Sequence, residues 1–208
     1  MTRQAERLER AQEEPIVGGL PDAPGIGVAM RLTPGLGVHL RGLADELLVK
    51  DYPGATISRF ERELLATAVS AANDCFFCMD SHAAHANAVL EQLGAEPSPL
   101  LETVKLGSSD GFDPKVQALL HIARTVQRAP RSLTAADVAG ARDAGATDAD
   151  VQLAILIAAG FSMYNRLVEG FRARTPPSTE VYAARAGEIA ANGYSGAAPT
   201  APGGPARG

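Results

Sequence analysis

Two cysteines, Cys75 and Cys78, stand three residues apart, and His82 follows four residues after the second. They are the only cysteines in the chain. A thiol attacks as its thiolate, so a working cysteine needs a neighbour that lowers its pKa or takes its proton. If this stretch is helical, Cys78 and His82 share a face. An imidazole then lies beside the Cys78 sulfur, the thiol–base pairing of nucleophilic catalysis. Cys75 would fall in the first turn of that helix, where unpaired backbone N–H groups favour a thiolate, although Asp74 next door opposes this. In a reducing compartment such a pair is more often redox-active or metal-binding than a structural staple. The metal rival would use Cys75, Cys78, His82 and His85. A straight helix spreads the outer two of these by about 15 Å, whereas zinc ligands lie about 2.0–2.3 Å from the ion. All four cannot bind one ion from a single helix, and three would need a fourth ligand from elsewhere. The redox reading therefore ranks first, with no cofactor.

A histidine that accepts a proton needs an acid to orient it. Asn73-Asp74 is turn chemistry between two runs of helical spacing, and a fold-back there would make an antiparallel hairpin. At about 1.5 Å per residue, Glu63 lies roughly 16 Å before the turn and His82 roughly 12 Å after it. The two are close enough in height to meet, whereas Glu63 and Cys75 are not. Glu63 is thus expected at His82 or the Cys78 region, completing a Glu–His–Cys relay. Glu61 is better explained as a capping residue, Phe76 and Phe77 as core or pocket lining, and His39 and His121 as structural.

The elements that must hold these residues read as helices throughout. Apolar positions recur at helical spacing from Val38 to Leu48. Ser58 with Glu61 forms a capping box opening a helix to about Ala72, and Asp74 is a candidate cap for one from Cys75 to Leu93, stopped by Gly94. Further helices follow over Ser98–Leu106, from Asp113-Pro114 to before Pro130, from Thr134 to near Gly145, from Thr147 to about Phe171 and over Thr179–Ala191. The Thr147–Phe171 helix is apolar nearly all round in its first half, so it should be central. No strand is convincing. The fold class is all-α, a single helical bundle over residues 24–192. Residues 1–23 read as a flexible, charged arm, and 193–208 as a disordered Gly/Ala/Pro tail.

Composition narrows the function. A net charge of −5 argues against a nucleic-acid partner. With 46% hydrophobic and 21% charged residues the chain reads as an ordinary soluble protein. No run reaches the roughly 18 apolar residues of a membrane span. The opening Met1-Thr2-Arg3-Gln4-Ala5-Glu6-Arg7 has no apolar segment behind it, so no secretory signal is read and a cytoplasmic location is expected.

The stretch from Arg59-Phe60-Glu61-Arg62-Glu63 through Ser70-Ala71-Ala72-Asn73-Asp74-Cys75-Phe76-Phe77-Cys78 to Ser81-His82 resembles the carboxymuconolactone decarboxylase and alkylhydroperoxidase D superfamily, in its peroxidase-related branch. Phe161-Ser162-Met163-Tyr164-Asn165-Arg166 resembles that branch's Phe-x-x-x-Asn-Arg helix, and Ile189 to Tyr194 its Ile-x-x-x-Gly-Tyr ending. The resemblance implies an alkylhydroperoxidase D-like helical bundle forming homo-oligomers. It assigns Glu63, Cys75, Cys78 and His82 to the proton relay and redox pair of a thiol-dependent peroxidase or disulfide oxidoreductase. By it, Cys78 reacts with an organic hydroperoxide or hydrogen peroxide, Cys75 resolves the sulfenic acid, and a dithiol protein or small thiol reduces the disulfide. Helix-end exposure favours Cys75 as the attacker instead, so the order stays open. Phe77 stands where alkylhydroperoxidase D carries a second histidine, which weakens the transfer of its partner and efficiency. Lactone decarboxylation ranks lower, since decarboxylase members generally lack the cysteine pair. A non-enzymatic redox sensor is the alternative outside catalysis. His85, Tyr164, Asn165 and Arg166 have no assigned role.

Overall fold

Polar residues that satisfy the first free N–H groups of a helix open five of the helices. Thr33 and Asp113 each do so just before a proline, accepting from Leu36 N (3.2 Å) and Val116 N (3.1 Å). Ser58–Glu61, Thr134–Asp137 and Thr147–Asp150 form reciprocal capping boxes. The computed structural model describes residues 3–197. Its helices are α1 (Arg3–Arg10), α2 (Gly27–Leu32), α3 (Pro34–Leu48), α4 (Arg59–Ala72), α5 (Phe76–Gln92), α6 (Leu100–Lys105), α7 (Pro114–Arg128), α8 (Ala135–Asp143), α9 (Asp148–Gly170) and α10 (Glu180–Gly196). A short 3-10 turn at Pro130–Ser132 joins α7 to α8. No strand occurs among the described residues, as an all-α reading requires.

The core lies between α4, α7 and α9, with α5 folded against α4 and α10 laid across α5. Leu64, Leu65 and Val69 of α4 meet Leu119, Leu120 and Ile122 of α7 and Leu153, Ile157 and Phe161 of α9, all essentially buried. Each such side chain contributes about 1.5–3 kcal/mol on leaving water. By length and composition α9 could cross a bilayer. Here its apolar face is the centre of this core. Asp150 ties the start of α9 to the loop before α4, accepting from Thr56 N (2.6 Å), Ile57 N (3.0 Å) and Thr147 N (3.0 Å). Burial pushes its carboxyl up, but these bonds outweigh that and hold it below its usual value.

Three local expectations change. The arm expected to be flexible includes α1, which docks: Arg7 pairs with the buried Asp80, and Arg10 Nη1 donates to the Asp74 carbonyl at 2.9 Å. Charged residues do here what an apolar face would usually do. The expected disordered tail begins too early at 193, because α10 runs to Gly196 and buries Tyr194. The rest of that expected tail, residues 198–208, lies outside the described residues. Finally, Asp74 does not cap α5. It sits in the left-handed region (φ 52°), and Cys75 takes the cap position.

Candidate functional site

The site is built on the α4–α5 hairpin. Its turn is closed by Cys75 N donating to Ser70 O at 3.0 Å, which reverses the chain within three residues. From α9, Asn165 braces this turn: its Nδ2 donates to Ser70 Oγ (3.0 Å) and its Oδ1 accepts from Asn73 Nδ2 (2.9 Å). Gln127 of α7 adds a bond to Asn73 Oδ1 at 2.8 Å. Asn165 is therefore a buried support of the hairpin. Arg166 is exposed and bonds within its own helix, to Ser162 O at 2.8 Å.

With the turn fixed, Glu63 and His82 face each other across the hairpin, Nδ1 to Oε2 at 2.7 Å. Glu63 is fully buried and His82 nearly so. A buried carboxylate must be fully hydrogen-bonded, and Glu63 finds a second donor that motif spacing does not suggest. The Tyr194 hydroxyl lies 2.8 Å from Glu63 Oε1, 3.2 Å from His82 Nδ1 and 3.0 Å from His85 Nδ1. One proton arrangement satisfies every group. His85 donates to the tyrosine oxygen, while Tyr194 and His82 Nδ1–H both donate to Glu63. Burial, then Glu63, pushes the Tyr194 hydroxyl well up, which keeps it a donor. Burial, then His82, Arg185 and Arg59, pushes His85 well down, which keeps it neutral. His82 then has Nε2 left as a lone-pair base.

A kink delivers Tyr194 to this point. Gly193 interrupts α10 with φ 73°, a left-handed value that glycine adopts without strain. Buried Asp45 of α3 then receives the freed backbone, accepting Tyr194 N at 2.6 Å and Ser195 N at 3.0 Å. A Cβ on residue 193 would lie 2.8 Å from Asp45 Oδ1. The Gly-Tyr pair was visible in the sequence, but its arrival at Glu63, 131 residues earlier, was not.

Both cysteines are free, and their settings differ. Cys78 lines a cavity of about 200 Å³ together with Ser81, His82, His85, Phe161 and Tyr194. Cys75 is absent from that lining and is 0% exposed. Its thiol is pushed well up by hydrogen bonding to Cys78, then by burial and by the charges of Cys78 and Glu169. The expectation that helix-end exposure favours Cys75 as attacker is thus corrected, because the turn and α9 enclose that end. Glu169, half-buried and raised by burial, reaches Cys75 from the far side and is held by Arg10 at 2.6 Å. Phe76 points to that side under Arg10 (5.1 Å to the ring), whereas Phe77 lines the cavity.

Among the described residues, the donor atoms that converge enough for a metal ion are those of Glu63, His82 and His85, within 4.8 Å of one another. Neither cysteine belongs to that group.

Comparison with known proteins agrees with this architecture. Residues 39–125, which hold the hairpin and the cysteines, match the carboxymuconolactone decarboxylase family. No curated protein sequence matches. A crystal structure described as an alkylhydroperoxidase AhpD core, an uncharacterized peroxidase-related protein from Ralstonia eutropha, superposes with a TM-score of 0.66 at 24% identity, over 79% of this chain and 82% of its own. An uncharacterized peroxidase-related protein from Silicibacter gives 0.61 at 23% identity, over 78% and 90%. A protein of unknown function from Agrobacterium tumefaciens gives 0.55 at 17% identity, over 70% and 94%. At such identities the likeness shows a shared fold.

Proposed function

We propose that this chain, whose residues 39–125 match the carboxymuconolactone decarboxylase family within an alkylhydroperoxidase D-like fold, is a thiol-dependent hydroperoxidase working through a Cys75–Cys78 couple. The observation that carries the reading is a cavity-facing Cys78 beside a His82 whose Nδ1 is held by buried Glu63 at 2.7 Å.

In the proposed cycle His82 Nε2 takes the Cys78 proton, and the thiolate attacks the outer oxygen of a hydroperoxide. The O–O bond breaks and the alkoxide leaves, taking its proton from His82, so that Cys78 becomes a sulfenic acid and the substrate an alcohol. The Cys75 sulfur then attacks the Cys78 sulfur, forming the disulfide and releasing water, and Glu169, hydrogen-bonded to Cys75, accepts the Cys75 proton. An external dithiol, protein or small molecule, returns both thiols by exchange and is itself oxidised. Burial of Cys75 supports its later role, since a thiol with a raised pKa is a poor first attacker. Leu32, Leu36 and Leu43 are exposed on α2 and α3, which supports a further proposal of self-association there, tested by sedimentation.

The test is continuous consumption of an organic hydroperoxide by metal-analysed protein with excess dithiothreitol. Many equivalents consumed per chain, lost in Cys75→Ser and Cys78→Ser, is the expected result. A single oxidation that then stops would move the reading to a redox sensor.

A further inference from the structure

The cavity that receives Cys78 has an unusual charge composition. Arg31 of α2, Arg41 of α3 and Arg185 of α10 all line it, each half-buried, and no Asp or Glu is among the lining residues. This occurs in a chain whose net charge is −5. Three elements distant in sequence therefore bring cations to one opening. They feel one another: the Arg185 guanidinium is lowered first by burial, is raised by Glu188, and is lowered again by Arg31 and Arg41. Glu188 stands 3.9 Å from Arg185 on the same helix, and Arg31 Nη1 donates to the backbone carbonyl of Asp22 at 3.0 Å. The Asp22 carboxylate is engaged by Arg174 at 2.9 Å.

The same cavity is also lined by apolar side chains, including Ile26, Met30, Phe161 and Ile189. Exposure is graded: Cys78 is 2% and His82 6% exposed, while the arginines reach solvent. The cavity thus combines a buried nucleophile, apolar walls and a cationic rim. Mutual repulsion of the rim costs free energy that a bound anion would relieve. Guanidinium groups pair in plane with a carboxylate through two N–H···O bonds.

Building on the peroxidase reading, we infer that the substrate is a carboxylated organic hydroperoxide, with an apolar body against Ile26, Met30 and Phe161, its peroxide at Cys78, and its carboxylate among Arg31, Arg41 and Arg185. Hydrogen peroxide and neutral alkyl hydroperoxides are then the poorer substrates.

The experiment compares kcat/KM for cumene hydroperoxide and its para-carboxylate analogue, with excess dithiothreitol, in wild type, Arg41→Gln, Arg185→Gln and Arg41→Lys. The two substrates differ only in the anion, so their ratio is insensitive to a general loss of folded protein. The carboxylate is expected to be preferred by about tenfold or more. The glutamine variants should lose most of that preference, and Arg41→Lys should retain part of it. Equal kcat/KM for the two substrates overturns the inference and leaves the peroxidase reading standing. If neither is consumed, the peroxidase reading falls and calorimetric titration of para-isopropylbenzoate into the reduced protein decides the rim. Saturable binding that weakens about tenfold in both glutamine variants upholds an anion-accepting cavity. No binding overturns it.

Discussion

Cys75 and Cys78 lie one helical turn apart, yet they belong to two different regions of the molecule. Cys78 opens on a cavity lined by His82, His85 and Tyr194 of α5 and α10, with Glu63 of α4 buried behind them. Cys75 lies against Glu169 of α9, with Arg10 of α1 behind it. The first region can move a proton next to a ligand. The second lies outside that cavity's lining and holds a thiol pushed well up in pKa. The contrast shows how one helix end can give two identical side chains different surroundings, on which a thiol's reactivity depends more than on its helical position.

The comparison is easiest to break with the cysteines themselves. Cys78→Ser should consume no hydroperoxide, while Cys75→Ser should consume one equivalent and stop at a sulfenic acid that dimedone traps, read by intact mass. Full turnover by Cys75→Ser would end the division of roles. Next in size, His82→Ala should slow the peroxide step by about a hundredfold or more. It should also shift the alkylation–pH profile of Cys78, and an unchanged profile would remove His82 from the relay. Tyr194→Phe deletes one hydroxyl from a network that otherwise stays buried, so a loss near tenfold is expected, with about 1–2 kcal/mol of stability by urea unfolding. Glu169→Gln addresses the other region. It should lengthen the lifetime of the Cys78 sulfenic acid in a single turnover while leaving its formation rate untouched, and slower formation would mean the regions are not separate.

The smallest effect is on acid stability. His85 is held well below its ordinary value, so as pH falls below about 6.5 the unfolded chain binds a proton there that the native state refuses. The stability this histidine contributes is present above that pH and is lost progressively below it. His85→Gln should flatten the decline in unfolding free energy between neutral and mildly acidic pH. A decline unchanged in the variant would assign it to other groups.

Much of this was legible before any coordinates. The capping boxes at Ser58, Thr134 and Thr147 are local chemistry, so their helices start where the residues say. The approach of Glu63 to His82 followed from rise per residue around one tight turn. What stayed hidden depends on distant segments. Tyr194 is brought by a kink that Asp45 stabilises, and α1 is held by Arg7 on Asp80, a pair whose partners are 73 positions apart. The rule that a helix N-terminus is exposed failed for Cys75, because tertiary packing covered an end that the local pattern would leave open.

The kink at Gly193 also orders events in the life of the chain. Glu63, Cys75, Cys78 and His82 are synthesised early, but the tyrosine that completes the buried acid's hydrogen bonding emerges more than a hundred residues later. Until it docks, Glu63 lacks a donor that its folded surroundings supply, and the wall of the cavity formed by α10 is missing. A growing chain therefore carries its thiols without their finished environment, which is completed by a turn of helix made more than a hundred residues after them.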